Sequence, residues 1–593
     1  MKREIRSSAV AGVAGVGAIV DVGKESFVVP GIDTWRQGQL RVVELKRLSG
    51  RLHKALKAPA DESPSLMVRR FPRAMFCEKC RKVTHWKVEM ESPDSEPTCP
   101  ESGCGGPLVA MRFVSACERG HLDDVDWRYW VHSGPRGNHG CRIPNALSFQ
   151  VVPGAVTAGL ASIMVSCKCG SSRTLEDLGN KSLVKEVFSS CSGRHPWRFG
   201  QREECQADVV VLQRGATNLH YPCTVSALDI PGEAAENPAA EFAAQVTAHT
   251  KYQRIVALLA SADEGAQELV ETLADLVASA VGCDAKVVLE IAKAQAEGRP
   301  IEAAGGTLSG PIDQAQLLDE EWRTLKAALS TGEIVGPTFA AVAEELASGA
   351  PPWMKRLFKG VLLLRRLREV KAYLGFHRVK PSELDAMVKP DVGALQPWLP
   401  ACETYGEGIL LELDNDLLQT WRAGIPDAEK AGLAELEAKR VDENYWFLPK
   451  VDPVFIAMHT LSHLLLRRIT FECGYSSSSL RERLYFNAEQ GYAGIMIYTA
   501  DGDSEGSLGG LVRQGRTDRL AQSIVEAVDQ GRWCSSDPVC SETAGQGLGG
   551  FNRAACHACS LVSETSCTHA NTLLDRRMLF EETWGLFAMA ESK

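Results

Sequence analysis

The chain reads as a multidomain α+β protein: a cysteine-rich zinc-ribbon N-terminal region, a helical middle domain and a mixed α/β C-terminal domain closed by a four-cysteine zinc site. Three observations predict this. Ten of the nineteen cysteines in 593 residues fall before position 206. Ala, Leu and Glu recur at helical spacing through the middle third, and strand-like and helix-like runs then alternate before a last cysteine cluster. Single cores rarely keep growing past about 250 to 300 residues, so three domains are expected, over 1–230, 231–400 and 401–593.

The N-terminal region interleaves short β-rich pieces ("AIVDV", "SFVVP", "LSFQVVP") with cysteines. Cys77-x-x-Cys80 and Cys99-x4-Cys104, the latter followed by Gly105 and Gly106, have the spacing of a zinc ribbon, in which each pair sits on one tight turn. A second site is expected from Cys167-x-Cys169, Cys191 and Cys205, with Cys141 as a possible substitute. Between the two, Cys117 and His121 can ligate with His139 or Cys141, or simply form a buried pair. Arg69, Arg70 and Arg73 before the ribbon, and Lys79, Arg81 and Lys82 within it, form the best candidate patch for nucleic-acid backbone.

In the middle third, "AEFAAQVTAHTKYQRIVALLA", "GAQELVETLADLVASAV" and "AKVVLEIAKAQAEG" predict helices, with breaks at "EAAGGTLSGP" and "SGAPPW". A basic amphipathic stretch, Lys355, Arg356, Lys359, Arg365, Arg366, Arg368 and Lys371, reads as a solvated helix face or a second cationic surface. Further on, "GILLELD" and "AGIMIYTA" read as strands, "PVFIAMHTLSHLLLRRIT" as a helix, and the serines of "SSSSLRERLYF" as the cap of a helix starting near Leu480. The C-terminal zinc site is expected from Cys540, Cys556, Cys559 and Cys567, with Cys534 spare. Cys223, Cys283, Cys402 and Cys473 have no close partner and read as core residues.

Composition narrows the function. So many thiols without a secretory leader favour metal over disulfides and a cytoplasmic setting. The apolar stretch Ala9 to Val20 is too short to span a bilayer. A formal net charge of -10 argues against coating nucleic acid by bulk electrostatics. In "GVGAIVDVGKES", Glu25 stands where a phosphate loop needs a hydroxyl and Ala18 where it needs its first glycine, so no nucleotide-driven motor is expected. His459 and His463 share a helix face, but Thr460 replaces the general-base Glu of a zinc peptidase. The alternative function is a metal-dependent nuclease or hydrolase using His459 and His463 with Asp501 or Asp503.

Specific segments run nearly end to end: "VGAIVDVGKESFVVPGIDTW", "CERGHLDDVDW", "RHPW", "RGATNLHYP" with "SALDIP", "HTLSHLLLRRI", "GYSSSSLRERLY", "GSLGGLV" and "ACHACSLVSETSCTHANTLLDRR". Through them the chain resembles the DrmB family, components of the bacterial DISARM anti-phage defence system. Its C-terminal part is similar to a four-cysteine domain of unknown function at the end of certain DNA-repair helicases. The resemblance implies a non-catalytic zinc-binding subunit that pairs with the helicase-like ATPase DrmA to engage foreign DNA. It carries the family's zinc cysteines onto Cys540, Cys556, Cys559 and Cys567, and it carries over no catalytic residue.

Overall fold

The computed structural model describes the chain apart from residues 1–6, 61–65, 93–94, 135–136, 153, 155–158, 189, 199–201, 232–237, 261–266, 297–313, 382–386, 392–395, 477, 500–508 and 593. The "EAAGGTLSGP" break, Asp501 and Asp503 lie outside the described residues.

A nine-stranded sheet organises the molecule. Its strands are β1 (Leu40–Val42), β2 (Ala55–Pro59), β3 (Tyr221–Leu228), β4 (Glu333–Val335), β5 (Ala340–Glu344), β6 (Phe358–His377), β7 (Trp398–Leu413), β8 (Leu480–Asn487) and β9 (Tyr492–Thr499). The spatial order is β4-β5-β6-β7-β9-β8. The early half of β6 pairs with β5 and its later half with β3, so one 20-residue strand serves two neighbours along one edge. β2 joins the start of β7 in parallel and brings β1 with it.

Both faces of this sheet are covered, which is why its strands read as nearly continuous apolar runs. Val361, Leu363, Ile409, Leu411, Ile495 and Ile497 face a core that includes the long helix Pro453–Cys473. The alternate residues Leu362, Leu364, Leu410, Met496 and Tyr498 face Trp322, Leu325 and Ala328 of the helix Gln314–Thr331. The helix Pro453–Cys473 is well bounded: Asp452 accepts the Val454 amide, Pro453 opens the first turn, and Gly474 closes it at φ 69°.

Two segments expected to be helical are strands. The basic stretch falls largely on β6, where Lys359, Arg365 and Arg366 are exposed while Arg368 is buried and paired with Asp229 and Glu403. "LRERLYF" forms β8, with Glu482 facing the Pro453–Cys473 helix and Arg483 facing the other side. Arg483 meets Glu321 at 2.7 Å, and Glu321 also accepts from Tyr485 at 2.9 Å, Arg47 at 3.2 Å and the Leu228 amide at 2.8 Å. This satisfied ionic knot lets a charged segment lie in a core, and it breaks the apolar pattern that would mark a strand.

The four middle helices, Pro238–Thr247, Tyr252–Ala260, Gln267–Val281 and Ala285–Ala296, pack on one another through Val246, Ile255, Ala274, Val277, Val288 and Ile291. Most of the N-terminal region has a different character. Among the described residues its separate sheets are three-stranded, and no strand in them exceeds five residues. Ile19–Val22 and Glu25–Val28 form a hairpin across Gly23 and Lys24, a strand-turn-strand where a phosphate loop would need a helix. Gly17 sits at φ 80°, and a Cβ there would lie 2.6 Å from the Phe376 ring. Arg378, wholly buried, donates to the carbonyls of Gly17, Gly120 and Leu219 and lies over Trp197 and Phe376. It ties the N-terminal motifs to the end of β6.

Candidate metal centres

The ribbon residues meet as expected. Cys77 ends the strand Ala74–Cys77, and Cys77, Cys80, Cys99 and Cys104 bring their sulfurs within 4.8 Å of one another. Cys77 and Cys104 are 3.6 Å apart, as are Cys80 and Cys99. A tetrahedral ion with bonds of about 2.3 Å separates its sulfurs by roughly 3.8 Å. A Cβ on Gly106 would stand 2.8 Å from the Cys77 sulfur, so the glycine leaves room for the cluster.

Cys167, Cys169, Cys191 and Cys205, expected as one site, are divided between two groups. Cys167 and Cys169 join Cys141 and His132, while Cys191 and Cys205 join Cys117 and His121. The tight Cys167-x-Cys169 turn follows the strand Ile163–Cys167 and faces the helix Trp127–His132, whereas Cys191 and Cys205 fall beside the strand Phe113–Ala116 and the turn after it. His132 had no motif to mark it. Its Nδ1 lies 2.7 Å from the Arg128 carbonyl, which leaves Nε2 3.3 Å from Cys169. His121 Nδ1 lies 3.3 Å from Cys117, and the Cys117–Cys205 separation is 4.0 Å. His139 is in neither group.

In the C-terminal region the gathered set is Cys534, Cys540, Cys556 and Cys559. Cys534 lies 3.5 Å from Cys556, and Cys540 lies 3.8 Å from Cys559. Asp537 accepts the Cys534 amide at 2.8 Å and pairs with Arg576, which folds the 534 turn back onto the Cys556–Cys559 knuckle. Cys567 is not brought to this set. Its sulfur receives the amides of His569 and Asn571, each at 3.3 Å, and faces His459, His463 and Glu482. Spacing and the family resemblance both favoured Cys567; instead Asn571 pins the intervening loop at Val562, and Arg576 ties Ala554 and Asp537 together on the side of Cys534. Arg467 holds the knuckle on its helix through the carbonyls of His557, Ala558 and Leu561.

Each of these groups contains a thiol held down toward its ligating, deprotonated form. Burial raises Cys77, but the amides of Cys80 and Lys79 outweigh it and bring the thiol to about 7. The same contest, with the Cys559 amide and Cys534, leaves Cys556 at about 7. The Ser171 hydroxyl and amide hold Cys169 at about 6. Contact with Cys191, against burial and with help from His121, holds Cys117 at about 4.

The basic residues of the first ribbon divide in two. Arg70 pairs with Glu25 and Glu91, each at 2.8 Å, Lys82 with Glu101, and Arg73 lies 3.7 Å from Asp124. Arg69, Lys79 and Arg81 are exposed. His459 and His463 have no solvent exposure, so no polymer reaches them as a nuclease site in this structure.

Comparison with known proteins accords with this geometry. A domain of unknown function, DUF8724, matches residues 6–221, and the MrfA Zn-binding domain matches residues 461–560. Cys534, Cys540, Cys556 and Cys559 all lie inside the latter interval, and Cys567 lies beyond it. The DISARM protein DrmB of Bacillus paralicheniformis is 28% identical over 585 residues, covering 94% of this chain and 97% of that protein. The chain is therefore a mixed α/β zinc-binding protein that resembles DrmB over almost its whole length.

Proposed function

From that end-to-end likeness to DrmB, we propose that the chain is a non-catalytic, zinc-built subunit of a DISARM-type defence complex that pairs with a helicase-like ATPase of the DrmA kind and helps it hold foreign DNA. The likeness is the observation that carries the reading, because it extends over the cysteine-rich region, the sheet and the C-terminal knuckle together. No helix among the described residues is long and apolar enough to cross a membrane, and a cytoplasmic setting suits a partner that works on incoming DNA.

The zinc ligands in this reading are Cys77, Cys80, Cys99 and Cys104; Cys117, His121, Cys191 and Cys205; His132, Cys141, Cys167 and Cys169; and Cys534, Cys540, Cys556 and Cys559. These closed sites of cysteine and histidine build surfaces instead of activating water. Lys79 and Arg81, on the exposed knuckle of the first ribbon, with Arg69 nearby, touch phosphate; Arg70, Arg73 and Lys82 hold the fold. The net charge of -10 makes the DNA path a joint one. An electrophoretic shift of the partner alone, this chain alone and the pair tests it. The pair should bind DNA more tightly than the partner alone, and equal affinity would refute the DNA-holding role.

A further inference from the structure

His459 and His463 lie one turn apart on the helix Pro453–Cys473, Glu482 lies on β8, and Cys567 lies on the coil that follows the C-terminal knuckle. Side-chain exposure is zero for both histidines and for Glu482, and Cys567 is 7% exposed. Glu482 Oε1 stands 3.0 Å from His459 Nε2 and 3.5 Å from His463 Nε2, and the Cys567 sulfur is 3.2 Å from His459 Nε2. All four donors fall within 4.8 Å of one another.

The hydrogen bonds around this group engage its outer atoms and leave inward-facing ones unpaired. His463 Nδ1 lies 2.9 Å from the Ser560 carbonyl, an oxygen that can only accept, so Nδ1 carries the proton and Nε2 offers a lone pair. Ser462 donates to Glu482 Oε2. That leaves Oε1 aimed at the two imidazoles, and among the described residues neither Oε1 nor His463 Nε2 has a partner in hydrogen-bonding geometry. Unpaired polar atoms this deep are costly and rare in native proteins. Here two of them, with a thiol beside them, converge on one point.

We infer that His459, His463, Glu482 and Cys567 bind a further divalent cation of the zinc class, in a closed structural site separate from the four-cysteine knuckle. The donor spacings of 3.0 to 3.5 Å suit a tetrahedral ion, whose nitrogen and oxygen donors at about 2.0–2.2 Å stand roughly 3.3 Å apart. Two imidazoles, a carboxylate and a thiolate select a borderline ion over calcium or magnesium, which take oxygen ligands. One carboxylate and one thiolate neutralise a divalent charge, so the buried site carries no net charge.

Outer contacts already orient three of the four ligands as bound metals require. The Ser560 carbonyl fixes the His463 ring, Ser462 fixes the carboxylate, and the amides of His569 and Asn571 point at the Cys567 sulfur. With four protein donors and no exposed face, the site rivets the C-terminal coil to the helix and to β8. Ser560 directly follows Cys559, so the two centres share one stretch of backbone.

Elemental analysis of the full-length protein and of Glu482→Gln and Cys567→Ser tests the inference. Each variant should hold one metal equivalent fewer than wild type while Cys556→Ser loses a different one, so that Cys567→Ser/Cys556→Ser loses two. Variants that keep the wild-type metal count overturn the site. Should either variant fail to fold, anomalous scattering at the zinc edge from wild-type crystals gives the answer directly. A peak among the four donors supports the site, and its absence beside a full peak at Cys534, Cys540, Cys556 and Cys559 refutes it.

Discussion

The cysteine-rich N-terminal region and the nine-stranded sheet solve the same problem by different means. Between residues 74 and 213, the strands are three to five residues long and the buried apolar residues are interleaved with the ligating cysteines, Cys141 and Cys167 in one cluster and Cys77 and Cys99 in another. The sheet instead runs through strands of up to 20 residues, with leucine, isoleucine and valine packed on one face and leucine, methionine and aromatic residues on the other. Each short strand adds few apolar residues to offset its ordering entropy. The comparison teaches that metal ligation can supplement a core where loops must be held in fixed shapes, and that the two regions should fail under different insults.

The largest contrast should come from a single sulfur. Cys99→Ser removes one ligand of the first ribbon, and structural zinc is worth roughly 10–16 kcal/mol in small domains. Limited proteolysis should cut that variant within residues 74–110 at protease levels that leave the sheet intact. Cutting throughout the chain would break the comparison.

Next in size is the ionic knot on the sheet. Glu321 is fully buried and holds Arg483, Arg47 and Tyr485. Glu321→Ala strands those partners and should cost about 3–5 kcal/mol. Denaturant titration followed by tryptophan fluorescence should show the loss with bound zinc unchanged, whereas a loss of zinc would join the two regions into one unit.

A pH series sharpens the same point. Burial pushes Glu369 up, but Lys371, Arg481 and Arg483 outweigh it and hold the carboxyl at about 2. A carboxyl lowered on folding stabilises above its unfolded value of about 4.3 and loses that contribution as pH falls toward its folded value. The contribution is on the order of 3 kcal/mol. Wild type should therefore lose more stability than Glu369→Gln between pH 5 and pH 3, measured by thermal melts. Parallel losses in the two proteins would contradict the assignment.

The smallest effect on stability belongs to the exposed knuckle. Lys79→Glu with Arg81→Glu should change stability by no more than about 0.5 kcal/mol per site. In the proposed role the same pair weakens DNA binding by the complex and flattens its salt dependence by roughly one unit per lost phosphate contact. Unchanged binding would remove these residues from the DNA path.

Legibility followed the same divide. Cys77, Cys80, Cys99 and Cys104 could be read from spacing because both pairs sit on local turns with glycine beside them. His132 could not, because it enters its group from a neighbouring helix. Cys534 and Cys567 exchanged places because proximity in sequence does not encode how Asp537, Asn571 and Arg576 fold the loop. In β6, where charges suggested a helix surface, and in β8, where the preceding serines suggested a helix cap, the charges are pairs such as Arg368 with Glu403 and Arg483 with Glu321, formed between residues far apart in the chain. The apolar helix Pro453–Cys473, the end of β7 and strand β9 were plain, since both period and composition agree with their burial.

Hydrogen–deuterium exchange of the wild-type protein, with and without a strong chelator, tests the central claim most directly. Metal removal should abolish protection in the cysteine-rich segments between residues 74 and 213 and around 534–567, while β6, β7 and β9 keep slow exchange. Metal-free protein that stays equally protected in both regions would contradict the account.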